Sequence, residues 1–135
     1  MLADRQGIPL ALALTPANVN DSHLLGPWLA AVPPIHRPRG RPRSRPGKLH
    51  ADKGDDYPRC HAVLRARRIL DRIARKTIDS GARAGRVRWV IERTLAWFAQ
   101  FRRVVIRYER RLDIHEAFHL LAASVICWHF IERFC

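Results

Sequence analysis

Apolar residues recur along this chain with a period near two close to the amino end and near 3.6 further on, and these changes of period mark out its elements. Residues 8–15 (IPLALALT) alternate Leu10, Leu12 and Leu14 with Ala11 and Ala13 after a polar turn over 4–7. The alternation predicts a strand leaving a hairpin. Only Met1, Leu2 and Ala3 precede the turn, so a partner of comparable length implies further strands upstream of Met1. Asp21 is placed to cap a helix over 22–32 whose apolar face is Leu24, Leu25, Trp28 and Leu29.

Periodicity stops at 33–48 (PPIHRPRGRPRSRPGK), which holds five Pro, two Gly and six basic residues in sixteen positions. Neither a helix nor an inner strand tolerates that proline density. The segment reads as a solvated linker, as a flexible basic arm following a phosphate backbone, or as both. Leu49, His50 and Ala51 make a very short strand running into an acidic turn over 52–56. Pro58 then suits the first turn of a helix over 58–68, with Val63 and Leu64 inward and Arg59, Arg65, Arg67 and Arg68 outward. Residues 69–74 (ILDRIA) fit a strand, and 77–85 a small-residue loop.

The clearest helix pattern covers 88–105, where Ile91, Leu95, Phe98 and Val105 share a stripe. On that wheel Arg88, Glu92, Ala99 and Arg103 fall within about 60° of one another, roughly a quarter-turn from the stripe. A lone acid thus sits on a basic flank. Residues 107–111 (RYERR) form a basic connection. Asp113 and Glu116 then match a D-x-x-E capping pattern for a last, core-forming helix with Phe118, Leu121, Val125, Trp128 and Glu132 at helical spacing.

Charge changes the picture because it is local. The chain has 135 residues, 25 of them Lys or Arg and 12 Asp or Glu, a formal +13. Residues 33–48 carry +6 and 81–112 carry +7, whereas 1–32 carry −1 and 113–135 carry −2. Two basic blocks between near-neutral apolar ends are the pattern of a polyanion-binding surface on a packed body. An apolar content of 47% with four Trp excludes a wholly disordered basic tail. The longest apolar stretch, 117–131, is about fifteen residues and interrupted by His119, Ser124 and His129, short of the roughly 20 a membrane span needs. The opening residues lack the layout of a secretory signal. Cys60, Cys127 and Cys135 are too scattered for a disulfide framework or a zinc knuckle, so a reducing cytoplasm is the expected setting.

Two constellations carry candidate chemistry. His115-Glu116-Ala117-Phe118-His119 matches H-E-x-x-H, which sets two imidazoles one turn apart for zinc. The only downstream carboxylate, Glu132, lies roughly 20 Å further along the same helix, so the residues read equally as a cap beside an apolar face. Asp52 and Glu92 are the stronger acids, one at a strand end and one on a helix among arginines. Brought together they would offer oxygen ligands to Mg²⁺ or Mn²⁺, and two such ions about 3.5–4 Å apart cleave phosphodiesters. Spacing alone also allows an ordinary Arg88–Glu92 ion pair and a turn role for Asp52.

Residues 51–56 (ADKGDD), 88–97 (RWVIERTLAW) with Phe101-Arg102-Arg103, 107–111 and 113–118 resemble, in order, segments of bacterial insertion-sequence transposases with a DDE active site. Gly7-Ile8-Pro9-Leu10-Ala11 and residues 17–22 fit as well, so the resemblance spans nearly the whole chain apart from the Pro/Arg-rich stretch. It implies an α/β, ribonuclease H-like fold with a helix-rich carboxyl half, present here without its first strands, the whole of 1–135 forming the C-terminal part of one catalytic domain with an insertion at 33–48. It implies metal-dependent cutting and joining of double-stranded DNA at mobile-element ends, with Mg²⁺ or Mn²⁺ held by Asp52 in the place of the second catalytic aspartate and by Glu92 in the place of the glutamate. Arg88 matches the signature arginine. The signature tyrosine and lysine positions fall on Gly85 and Ala99, and Arg103, on the same helical face, is the available substitute. Asp55 stands where the family has tyrosine. The first catalytic aspartate of the family lies upstream of Leu2, so the chain is expected to hold metal weakly and to be inactive by itself, working if at all with the upstream half or a second copy and away from membranes. The competing expectation is a non-catalytic basic module that binds DNA through Arg39, Arg41, Arg43, Arg45 and the arginine-rich helix.

Overall fold

The computed structural model describes residues 1–36, 38–43, 45–76 and 81–134, without the side chains of 81–87 and 134. They form two compact units, one made of 1–14 and 89–135, the other of 15–88. The architecture is α/β, with strands pairing in two small sheets, one antiparallel and one parallel.

In the first unit β1 (Leu2–Ala3) pairs antiparallel with β2 (Pro9–Ala11). Pairing ends at Ala11, so the strand is much shorter than the alternation over 8–15 suggests. The turn between them is built by Asp4, whose Oδ1 accepts the Gln6 and Ile8 amides, each at 2.8 Å. Gly7 closes it at φ +85°, a region open to glycine.

Helix α3 (Gly81–Phe98) starts well before Arg88, inside a stretch read as loop, and stops at Phe98. Of that loop, residues 77–80 lie outside the described residues. A non-helical step over 99–101 precedes the short α4 (Arg102–Val105), so the single helix over 88–105 is two. The buried face of α3 is Val90, Thr94 and Phe98, while Ile91 and Leu95 are exposed. The apolar stripe of the sequence is thus rotated by about one residue, because Thr94 occupies the buried position with its hydroxyl satisfied. Its Oγ1 lies 2.8 Å from the Gly7 carbonyl and 2.9 Å from that of Val90.

Helix α5 (Leu112–Phe134) packs Ala122 and Ile126 on Phe98, with Met1, Leu12, Trp97, Phe101 and Phe130 around them. Leu121, Val125 and Trp128, read as its core stripe, are 60%, 40% and 58% exposed. Ala122 and Ile126 face inward and the expected stripe of Leu121, Val125 and Trp128 faces outward, so the helix is turned from the expected phase. Asp113 sits inside the first turn rather than ahead of it, paired with Arg111 at 2.6 Å. By length and a mean hydropathy of 1.3 over its most apolar window, α5 also passes the composition test for a membrane span that the shorter 117–131 stretch failed.

In the second unit a 3-10 turn (Asp21–His23) leads to α1 (Leu25–Ala31), which buries Leu25 and Leu29. Asp21 does not cap the helix: Asn20 Oδ1 caps the 3-10 turn by accepting the Ser22 amide at 3.0 Å, and α1 follows Leu24 with no side-chain cap. β3 (Lys48–Ala51) pairs in parallel with β4 (Leu70–Ile73), and α2 (Pro58–Ala66) crosses between them. That β-α-β unit buries Leu49, Cys60, Leu64, Ile69 and Ile73. α2 ends as helices with a left-handed residue after the last turn end: Arg68 has φ +54° and the Ile69 amide returns to the Leu64 carbonyl at 2.9 Å.

Candidate functional site

Asp52 follows the last residue of β3, at the carboxyl end of a parallel strand pair, where open α/β sheets place their ligands. Its exposed carboxylate caps a 3-10 turn (Lys53–Asp55), accepting the Gly54 amide on Oδ1 at 2.8 Å. A Cβ at position 54 would stand 2.9 Å from that oxygen, so glycine lets the amide come close. Asp55 is half-buried beside it. Burial raises its carboxyl above the ordinary value, with the charges of Asp52 and Asp21 adding to the rise.

Asp56 anchors the other end of the turn. Its Oδ1 is 2.9 Å from His61 Nε2 and its Oδ2 accepts the Lys76 amide at 2.9 Å. His61 Nδ1 meets Asp71 on β4. Hydrogen bonds from Asp71 and then Asp56 raise the His61 pKa, and the Lys76 amide followed by His61 lowers that of Asp56. This clamp ties the turn after Asp52 to the neighbouring strand. Asp56 and His61 were legible as neighbours in sequence, but Asp71 reaches His61 only through the parallel pairing, and no spacing signals it.

Glu92 lies exposed on α3, four residues after Arg88. Asp52 belongs to the second unit and Glu92 to the first, and each acid is described within its own unit. Among the described residues no three or more His, Cys, Asp or Glu gather in a metal-binding group. The carboxylates of Asp52 and Glu92 have, each by itself, the oxygen-donor chemistry that hard divalent cations take.

Arg103 cannot share the helical face of Arg88 and Glu92, because the break over 99–101 interrupts the register. It pairs instead with Glu109 at 2.5 Å and lies over the rings of Tyr108 and Phe118. The Glu109 side chain is only 8% exposed; burial opposes its ionisation, and the Arg103 hydrogen bond overrides that and leaves its pKa lowered. His115 Nδ1 approaches the same carboxylate at 3.6 Å, and His119 Nδ1 donates to the His115 carbonyl at 3.0 Å. The two histidines of the H-E-x-x-H segment are thus engaged with Glu109, with backbone and with each other's rings, at 4.6 Å between centroids. A groove of about 340 Å³ in the first unit, lined by Leu12, Leu95, Phe98, Val105 and His119 among others, carries no carboxylate.

The described residues of the Pro/Arg-rich stretch make hydrogen bonds within the stretch and to the end of α2. Ile35 and Arg43 exchange both backbone hydrogen bonds at 2.9 Å, closing a loop. Arg45 donates to the Arg67 and Arg68 carbonyls at 2.7 and 3.3 Å, at the end of α2, and Arg43 donates to the Arg45 carbonyl at 2.9 Å. Arg39 and Arg41 are exposed at the loop's tip.

Residues 1–127 match the family model described as the transposase DDE domain. The chain is 47% identical over 133 residues to a Burkholderia cepacia protein named "Putative transposase for insertion sequence element IS402", an alignment covering 98% of this chain and 63% of that protein. No solved structure matches. On the extent of both matches, the chain belongs to the DDE-domain family of insertion-sequence transposases.

Proposed function

We propose that the chain is the carboxyl part of the catalytic domain of an insertion-sequence transposase, of ribonuclease H-like fold, acting on double-stranded DNA at the ends of a mobile element. The observation that carries this is Asp52 at the carboxyl end of the β3–β4 parallel pair, with one oxygen held by the Gly54 amide. Asp52 and Glu92 each contribute a carboxylate to Mg²⁺ or Mn²⁺, which when bound stabilises charge on the phosphodiester oxygens. Two carboxylates leave such a cation's coordination sphere incomplete, so the 135-residue chain tested by itself is expected to bind DNA without cutting it. Arg88 and the loop over 33–48 supply phosphate contacts. Arg103 is committed to Glu109 and contributes its charge at most.

The test incubates the purified chain with terminal-repeat duplex and Mg²⁺ or Mn²⁺. Salt-dependent binding without strand cleavage is expected. Cleavage that is lost in Asp52→Asn or Glu92→Gln would overturn the inactivity while supporting both sites. A second reading, a regulator that binds DNA without catalysis, is favoured by the charge: residues 15–88 hold 17 of the 25 basic residues and a formal +11. It is distinguished by adding the missing segment of a full-length relative, which restores cleavage only if the catalytic reading holds.

A further inference from the structure

The tip of the loop closed by Ile35 and Arg43 reads Pro38-Arg39-Gly40-Arg41-Pro42, the same in both directions. Its five residues are all exposed. Arg45, behind the bridge, fastens the loop to the end of α2, and Arg43, in the bridge, donates to the Arg45 carbonyl. Arg39 and Arg41 have no hydrogen-bond or ion-pair partner among the described residues. Gly40, between them, has φ +94°, and no atom lies within 4 Å of where its Cβ would stand. That φ favours glycine in the loop's own backbone, and the space a side chain would fill is open among the described residues.

We propose that residues 38–42 are a minor-groove element for A·T-rich duplex DNA, an inference that rests on the reading of the chain as DNA-acting and adds a base preference to it. The minor groove is about 6 Å wide, enough for a bare backbone and too narrow for a substituted one. Gly40 lets the main chain reach the groove floor, and Arg39 and Arg41 then run along the groove to either side. Pro38 and Pro42 fix φ near −65° and bring no unsatisfied N–H, so the flanks leave the groove in defined directions. Narrow A·T grooves concentrate negative potential that attracts arginine, and at G·C pairs the guanine amino group stands in the floor. A purely electrostatic arm accounts for the charge of the segment but not for the mirrored order of two prolines and two arginines about Gly40, whose own φ already favours glycine. An A-form RNA duplex, whose minor groove is wide and shallow, offers no such grip.

The experiment measures fluorescence anisotropy of the 135-residue chain with hairpin duplexes of equal length, one with an A·T centre, one with a G·C centre, and one of RNA. A preference of about tenfold or more for the A·T duplex is expected, the scale of a good groove contact. Gly40→Ala keeps every charge and should abolish the preference while leaving the salt dependence unchanged. Because alanine at φ +94° is strained, the pair Arg39→Lys and Arg41→Lys serves as a second variant that leaves the backbone alone, and it too should lose the preference. Replacing both arginines by Ala should in addition reduce the slope of log affinity against log salt by about 1.8. Equal affinity for the A·T and G·C duplexes, equal binding of the RNA, or variants that keep the preference would overturn the proposal. In each of those cases salt-dependent duplex binding by the parent chain leaves the DNA-acting reading standing. Failure to bind any duplex overturns both.

Discussion

At Gly7 a single missing methyl group decides whether the first unit closes. Its φ of +85° disfavours any side chain, and a Cβ there would meet Thr94 Oγ1 at 2.8 Å and Trp97 at 3.3 Å. Thr94 cannot retreat, being fully buried and bonded to the carbonyls of Gly7 and Val90. Gly7→Ala should therefore cost about 2–3 kcal/mol, from backbone strain together with overpacking, read as a lowered midpoint in urea unfolding; an unchanged midpoint would show that the turn is not held this way. The Asp56–His61–Asp71 clamp gives a second expectation. Because the folded pKa of His61 is raised, its contribution is complete below the ordinary value of about 6.5 and is lost as pH rises through the folded value. Asp56, lowered, contributes above about 3.9 and loses that contribution as pH falls through its folded value. His50, lowered by burial and then by Lys48 and Arg72, has the opposite sign to His61, so the comparison must be with His61→Gln rather than with absolute values. The variant should flatten the fall in thermal midpoint as pH rises above about 6.5. Parallel curves for the two proteins would remove the clamp from the account.

The elements were legible in the chain wherever one face decided burial. α1, α2, β3 and β4 lie within a few residues of their expected bounds, since Leu25, Leu29, Leu49, Leu64 and Ile73 are both apolar and buried. Asp52 was legible because a strand end followed by an Asx-type turn has a local signature. What was not legible was phase. On α3 a buried threonine displaced the leucine stripe, and on α5 Ala122 took the inner position while Leu121 faced out. Both reversals depend on contacts distant in sequence, Gly7 for Thr94 and Phe98 for Ala122. The break over 99–101 followed no Pro or Gly, and its consequence is the turn in which Glu109 gathers Arg103 and His115. Glu109→Ala should lower the thermal midpoint by several degrees, whereas Glu116→Ala, on the same helix-entry region but outside the cluster, should change it by about a degree or less. Equal shifts would mean that the Glu109 cluster is no more than an exposed ion pair.

Across the molecule, charge and apolar exposure fall on different units. Residues 15–88 hold a formal +11, which leaves +2 for 1–14 with 89–135. That nearly neutral unit carries most of the large exposed apolar side chains among the described residues: Leu95, Val105, Leu121 and Trp128 are each more than half exposed. Surfaces of these two kinds answer salt in opposite directions. Phosphate contacts are screened and weaken linearly on a log–log scale, while apolar association is insensitive to salt or strengthened by salts excluded from the surface. Raising potassium chloride from about 0.1 to about 0.5 M should thus release the chain from DNA by a factor of 10² or more, if about four phosphates are engaged. Sedimentation velocity over the same range should show self-association holding or increasing, since Leu121, Val125 and Trp128 stand exposed at helical spacing on α5 and exposed apolar stripes associate in water. Leu121→Gln with Trp128→Gln should suppress that association at little cost to folding, because neither side chain is buried, and should leave DNA affinity unchanged. Dissociation of the oligomer by salt in parallel with the DNA would instead mean that one charged surface serves both, and the division of labour between the two units would be wrong.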